Sequence, residues 1–155
     1  MKKFTTILLP IMALASFALA ADKPSFSGDW KINIEKSNFG PMPPPSVLTR
    51  KIVHADPALT IDEAQSGPQG DMKRTIKYTT DGKEATNEMM GQPVKSTAVW
   101  DGKKLVITSK ADFGGNEIKL IDTWSLSDDG KETTDVLHIV SPQGEFDITY
   151  VLSKQ

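Results

Sequence analysis

Arg50 and Arg74 are the only arginines in the chain, and their placement raises the first chemical question. Each sits in an alternating run, on the parity shared by apolar side chains. One run carries Leu48, Arg50, Ile52 and His54; the other carries Met72, Arg74, Ile76 and Tyr78. If those faces point inward, two guanidinium groups enter an apolar interior. A buried charge is costly unless paired, so an inward arginine demands an internal carboxylate or an anionic ligand. Glu63 and Asp122, which share parity with apolar neighbours, are the internal candidates. A local twist or bulge would instead turn both arginines to solvent.

Other chemistries find less support. His54 and His138 are the only histidines, and they lack the tight spacing of a metal site. The Gly-x-Ser-x-Gly elbow of a serine hydrolase is missing, and without cysteine thiol catalysis is impossible. Asp and Glu residues alternate with lysines and form no evident acid–base pair. There is no glycine-rich phosphate loop. The residues therefore indicate no catalytic group, metal or cofactor.

The segments that must position the arginines read as strands. In 118–126 the even positions Ile118, Leu120, Trp124 and Leu126 are apolar, interrupted by Asp122. In 146–152 Phe146, Ile148, Tyr150 and Leu152 repeat the pattern. A period of two with one apolar face marks a half-buried strand. Turn signals cut the chain at short intervals, among them Asp81-Gly82, Asp101-Gly102 and Asp129-Gly130. Such pairs suggest hairpins with positive φ at both central residues. The spacing predicts about ten strands, starting near Phe26, Ser46, Ala58, Met72, Lys83, Val94, Lys103, Glu117, Lys131 and Glu145. A meander this long hides its edges by closing, so the fold class is an all-β, antiparallel up-and-down barrel. The segment Gly40-Pro-Met-Pro-Pro-Pro45 is barred from a strand interior by its prolines. It is either a rim connector or a lid with Phe39 and Met42 facing inward.

The N-terminus reads as a separate piece. Lys2 and Lys3 precede an apolar run from Phe4 to Leu19, and Ala18-Leu19-Ala20 has the small residues of a cleavage site. This predicts a cleaved signal peptide over 1–20 and a single barrel domain over 21–155, exported to the periplasm or secreted. No cysteine follows to carry a lipid, and no later stretch is apolar enough for a membrane span. The chain carries 18 basic and 20 acidic groups. Losing Lys2 and Lys3 leaves 16 against 20, a net charge of −4. Without clustered lysine and arginine, nucleic acid is not an expected partner.

The run Phe26-Ser-Gly28-Asp-Trp30-Lys-Ile32 resembles the Gly-x-Trp first strand of the calycin superfamily, the lipocalins and fatty-acid-binding proteins. The run from Lys95 through Trp100 to Leu105 is similar to the middle hairpins of the fatty-acid-binding type. A similar opening with a proline-rich loop occurs in exported bacterial lipocalin-like proteins. The resemblance implies the barrel fold, with Trp30 packed structurally across the closed end. Two features depart from fatty-acid-binding proteins. The proline loop stands where they place a helix pair, and Ile148 replaces the arginine of their Arg-x-Tyr carboxylate clamp, although Tyr150 is present.

These readings converge on a binding protein for a small, partly apolar or amphipathic molecule, such as a lipid-like acid. Arg50 and Arg74 would anchor an acidic group, with Tyr150 donating a hydrogen bond. Trp100, Trp124, Tyr78, Met72 and His138 complete the expected ligand site, with Ile107, Leu120 and Ile148 along the wall. Ser96, Ala98 and Asn87 would leave room inside. Two alternatives stay open: a side-chain-filled barrel acting as an envelope interaction or stress protein, and an enzyme using His138 or His54 as base.

Overall fold

The computed structural model describes residues 23–68 and 70–155. The signal-peptide expectation for 1–20 lies outside them. Ten strands follow one another: β1 (Gly28–Ile32), β2 (Val47–Ala55), β3 (Ala58–Gly67), β4 (Gly70–Thr79), β5 (Ala85–Met89), β6 (Gln92–Asp101), β7 (Lys104–Asp112), β8 (Glu117–Leu126), β9 (Glu132–Ser141) and β10 (Gly144–Lys154). Each begins within two residues of its expected start. No helix interrupts them among the described residues.

All pairings are antiparallel, and the sheet runs β4-β3-β2-β1-β10-β9-β8-β7-β6-β5. β1 pairs with both β2 and β10, which brings the two ends of the barrel domain together. β4 and β5 are left as the sheet edges, and no ladder joins them. The expected closure is thus incomplete. One side chain spans the seam instead. The Asn87 amide accepts from Lys77 N and donates to Lys77 O, both at 2.9 Å. It supplies the two hydrogen bonds that a facing strand residue would have made.

The hairpin geometry departs from expectation at all three Asp-Gly pairs, where the glycines have positive φ and Asp81, Asp101 and Asp129 do not. Asp101 is the last residue of β6 and pairs with Lys104, so the central residues are Gly102 and Lys103. Only Gly102 has positive φ, at 61°. Doubly positive φ occurs where the sequence has no Asp-Gly pair, at Gly114 and Gly115 and in one two-residue hairpin turn. Met89 pairs with Gln92, and Met90 and Gly91 between them have φ of 53° and 75°.

The end of the barrel carrying the β2–β3 and β6–β7 turns is stoppered by aromatic rings. Phe26 is fully buried there, stacked on His54 at 6.0 Å and on Trp100 at 6.1 Å, with the edge of Trp124 at 5.5 Å. The Trp30 indole donates to Phe26 O at 2.9 Å, which fixes the N-terminal segment inside the barrel. This agrees with the structural role expected of Trp30. Asp56 finishes the stopper by accepting from the Thr80 hydroxyl and, at 3.0 Å, from the Trp100 indole. Trp100 therefore belongs to the closed end. The proline loop lies at the opposite end. There Asn38 pairs with Thr149 of β10, and Phe39 packs edge-on against Tyr150 at 5.9 Å.

Phe26→Ala should be severe, because nothing else can fill that space. Truncating a fully buried phenylalanine costs about 3–5 kcal/mol. A denaturant titration should show the loss. A change below ~1 kcal/mol would mean that the ring is not the stopper.

Candidate ligand-binding site

The inner faces of three adjacent strands place a row of charges across the barrel. Arg50 of β2 faces Glu63 of β3 in register, and Glu63 faces Arg74 of β4. Antiparallel register with a period of two makes this row unavoidable once one of the three points inward. The Arg50 Nε donates to Glu63 Oε2 at 2.7 Å. The Arg74 Nε donates to Glu63 Oε1 at 2.8 Å, and its Nη2 lies 2.6 Å from the same oxygen. Each oxygen of the Glu63 carboxylate thus serves a different arginine.

Arg50 reaches further across the interior and donates through Nη1 to Asp135 Oδ2 on β9. Its guanidinium lies 5.4 Å from the Trp124 ring and 5.8 Å from that of Tyr150. Both arginines therefore point inward, and of the two possible partners foreseen, internal carboxylates are the ones found. Glu63 was legible by parity. Asp135 was not, although it alternates with the inward Thr133 and Leu137, because β9 carries apolar residues on both faces. The other expected acid, Asp122, is also shielded, but it bonds to no arginine. Its Oδ2 accepts from the Trp124 indole at 2.7 Å, and its Oδ1 has no protein partner.

Burial and pairing pull these groups in different directions. Burial opposes ionisation of Glu63, but Arg50 and then Arg74 outweigh it and hold its pKa below the ordinary range. Burial also opposes the Arg50 charge, yet Glu63, Asp135 and Asp122 together raise its pKa. The other two acids go the opposite way. Burial pushes the Asp135 carboxyl up to about 7, with Arg50 opposing and Asp122 reinforcing the rise. Burial likewise raises Asp122, again against Arg50. Tyr78 is pushed up to about 12, chiefly by burial. The interior holds two guanidinium groups and three carboxyls, and one proton held by Asp122 or Asp135 brings it to neutrality.

A cavity of about 140 Å³ adjoins this row. Arg50, Glu63, Arg74, Tyr78, Asp122, Trp124 and Tyr150 line its polar side, while Leu48, Ile61, Ile76, Val94, Ile107, Leu120 and Leu137 form apolar wall. Ser96 and Ser109 join through their hydroxyls at 2.7 Å on one side, and Asn87 and Met89 flank the β4–β5 seam. Of the residues expected at a ligand site, the structure gathers Arg50, Arg74, Tyr78, Trp124 and Tyr150 around one space.

Three others lie elsewhere. Trp100 is in the aromatic stopper. Met72 shares the inward parity of Arg74, but it sits near the start of β4 at the rim, 37% exposed and away from the cavity wall. His138 has the outward parity on β9 and meets Asp147 at 2.6 Å on the barrel exterior. His54, the other candidate base, is locked in the stopper, where its Nδ1 accepts from Phe26 N at 3.3 Å. Ile148 is buried but forms no part of the cavity wall. The proline loop lies at the rim of the open end. Phe39 and Met42 line a small recess beside Tyr150, while Met42 keeps 41% of its surface exposed.

Among solved structures, several resemble this barrel. The zebrafish ileal bile acid-binding protein complexed with cholic acid superposes with a TM-score of 0.59 and 21% identity, over 84% of this chain and 98% of that one. A SAHS protein from Ramazzottius varieornatus gives 0.60 and 14%, over 83% and 94%. The Schistosoma mansoni fatty acid binding protein in complex with arachidonic acid gives 0.52 and 14%, over 84% and 96%. No protein-family model and no curated protein matches the sequence. The fold is thus a calycin-like β-barrel of ten strands, nearly closed.

The paired acids carry a pH signature. Between the ordinary carboxyl range and about pH 7, the folded Asp122–Asp135 pair holds a proton that the unfolded chain has released. Its contribution to stability is full below the unfolded pKa and is lost as pH rises through the folded one. His54, whose pKa burial lowers, works in the opposite sense over part of this window. Asp122→Asn removes a charge that raises Asp135 and leaves His54 in place. Melting curves from about pH 5 to pH 8 should show wild type losing stability relative to Asp122→Asn as pH rises. Parallel curves would contradict the pairing of the two acids.

Proposed function

We propose that this protein binds a small, partly apolar molecule inside the barrel, with the polar end of the molecule toward Arg74, Tyr78 and Asp122. The observation that carries this reading is the 140 Å³ cavity, whose lining mixes apolar side chains with the Arg50, Arg74, Tyr78 and Tyr150 polar groups. Space of this kind, stoppered at one end, is the usual form of a small-molecule site. It also favours binding over the filled barrel that a purely structural interaction protein would need. Similar barrels are named with cholic acid and with arachidonic acid, which supports a ligand-holding role in general terms.

Size constrains the occupant. Drug-sized ligands occupy pockets of about 300–1,000 Å³. A dry cavity of about 150 Å³ admits a single benzene. The enclosed part of the ligand is therefore on the scale of one ring or a short branched chain. A longer body would extend past Phe39 and the proline loop.

We read the protein as a carrier or sensor rather than an enzyme, since neither histidine lines the cavity. On the N-terminal pattern of Lys2, Lys3 and the apolar run ending at Ala20, it acts after export, in the periplasm or outside the cell.

Native mass spectrometry of protein purified from its own host should reveal one small apolar compound per barrel. Ser109→Leu, which fills the space beside Ser96, should purify folded and empty. Equal occupancy in both proteins would place the ligand elsewhere, and an empty wild type that also ignores apolar fluorescent probes would end the binding reading.

A further inference from the structure

We propose that the closed end of the barrel is an acid-sensitive latch, in which protonation of His54 at Nδ1 withdraws the acceptor that holds Phe26 and loosens the aromatic stopper. The latch needs no ligand in the cavity.

His54 is wedged between two rings. Its imidazole stacks on Phe26 at 6.0 Å and on Trp100 at 5.8 Å, and its side chain is only 3% exposed. Its Nδ1 accepts from Phe26 N at 3.3 Å. A ring nitrogen that accepts carries no hydrogen, so the imidazole is neutral with its hydrogen on Nε2. That Nε2 is buried without a partner. Asp56 Oδ1 lies 3.7 Å away, beyond hydrogen-bond length, and already receives the Thr80 hydroxyl and the Trp100 indole.

A second proton must go to Nδ1, where it meets the Phe26 N–H donor to donor. The bond to Phe26 N is then lost. The imidazolium also attracts Asp56 Oδ1, the oxygen that tethers Trp100. One protonation thus disturbs both rings that flank His54. Burial opposes the imidazolium, Asp56 of the β2–β3 turn favours it, and Lys23 of the N-terminal segment opposes it. Leu59 opposite on β3, Trp100 on β6 and Trp124 on β8 bring no charge. Asp56 stays ionised through the range concerned, because hydrogen bonds from Thr80 and Trp100 bring its pKa down to about 2.

The folded pKa of His54 is lowered, so its hold on the stopper is full above the ordinary histidine value of about 6.5 and is lost as pH falls below it. Trp30 still bonds Phe26 O, and Ser27 still bonds the His54 backbone, so the segment loosens without leaving the barrel. The loosening reaches the cavity through Trp124, which lines it and meets Phe26 edge-on at 5.5 Å.

Circular dichroism from about pH 8 to about pH 4 tests the latch. The near-ultraviolet aromatic signal of the wild type should fall with a midpoint below about 6.5, while the far-ultraviolet strand signal persists. The His54 ring resonances in NMR should titrate with the same midpoint. In His54→Asn, whose side-chain oxygen can accept from Phe26 N and takes up no proton, the aromatic signal should stay level. An aromatic signal that holds constant in the wild type, or falls with a midpoint other than that of His54, would overturn the inference. So would an equal fall in His54→Asn, or loss of both signals together. If His54→Asn does not fold, the two midpoints of the wild type decide alone.

Discussion

The carboxylate of Glu63, shared between Arg50 and Arg74, is the contact on which the rest of the interior depends. Removing charges from water is expensive, and their attraction repays the cost only when geometry and hydrogen bonding are good. Here the cross-strand register supplies that geometry, setting β2, β3 and β4 side by side with the three side chains in one row. Once Glu63 neutralises both guanidinium groups in part, Arg50 can extend to Asp135 on the far wall. Charged groups then join β2, β3 and β4 to β9 across space that apolar side chains would otherwise fill. A cavity beside the row is the consequence.

The two ends of the barrel divide the remaining work. At the closed end Phe26, Trp30, Trp100, Trp124 and His54 make a dense aromatic plug, tied down by indole hydrogen bonds to Phe26 O, Asp56 and Asp122. That density permits looseness elsewhere. The β4–β5 seam is held by the Asn87 amide in place of a ladder, and the cavity wall crosses this seam. The least tightly bonded part of the barrel therefore adjoins the space proposed for a ligand.

Much of this architecture was legible because strands declare themselves by a period of two. Leu48, Arg50 and Ile52 share one face, as do Arg74, Ile76 and Tyr78, so parity raised inward arginines as one of two possibilities, with a twist or bulge as the other. Glu63 followed the same way. Asp135 did not, since Val136 and Ile139 give β9 apolar residues on both faces and blur its parity. His138 and Met72 show two different limits. His138 has the outward parity on β9 and lies on the exterior. Met72 has the right parity but sits too near the strand end, a matter of depth that periodicity does not encode. The role of Phe26 depends on a chain segment folding back into the barrel before the first strand, which no local pattern signals. The open seam between β4 and β5 is likewise not signalled by any local pattern.

The charge census is the central claim: two guanidinium groups, three carboxyls and one retained proton. Carbonyl-selective carbon-13 NMR of aspartate and glutamate side chains across pH would test it most directly. The account predicts that Glu63 stays ionised below the ordinary carboxyl range, while one of the Asp122–Asp135 pair titrates near 7. If every interior carboxyl were fully ionised by about pH 5, near the ordinary carboxyl values, the empty barrel would hold no such proton and the account would be wrong.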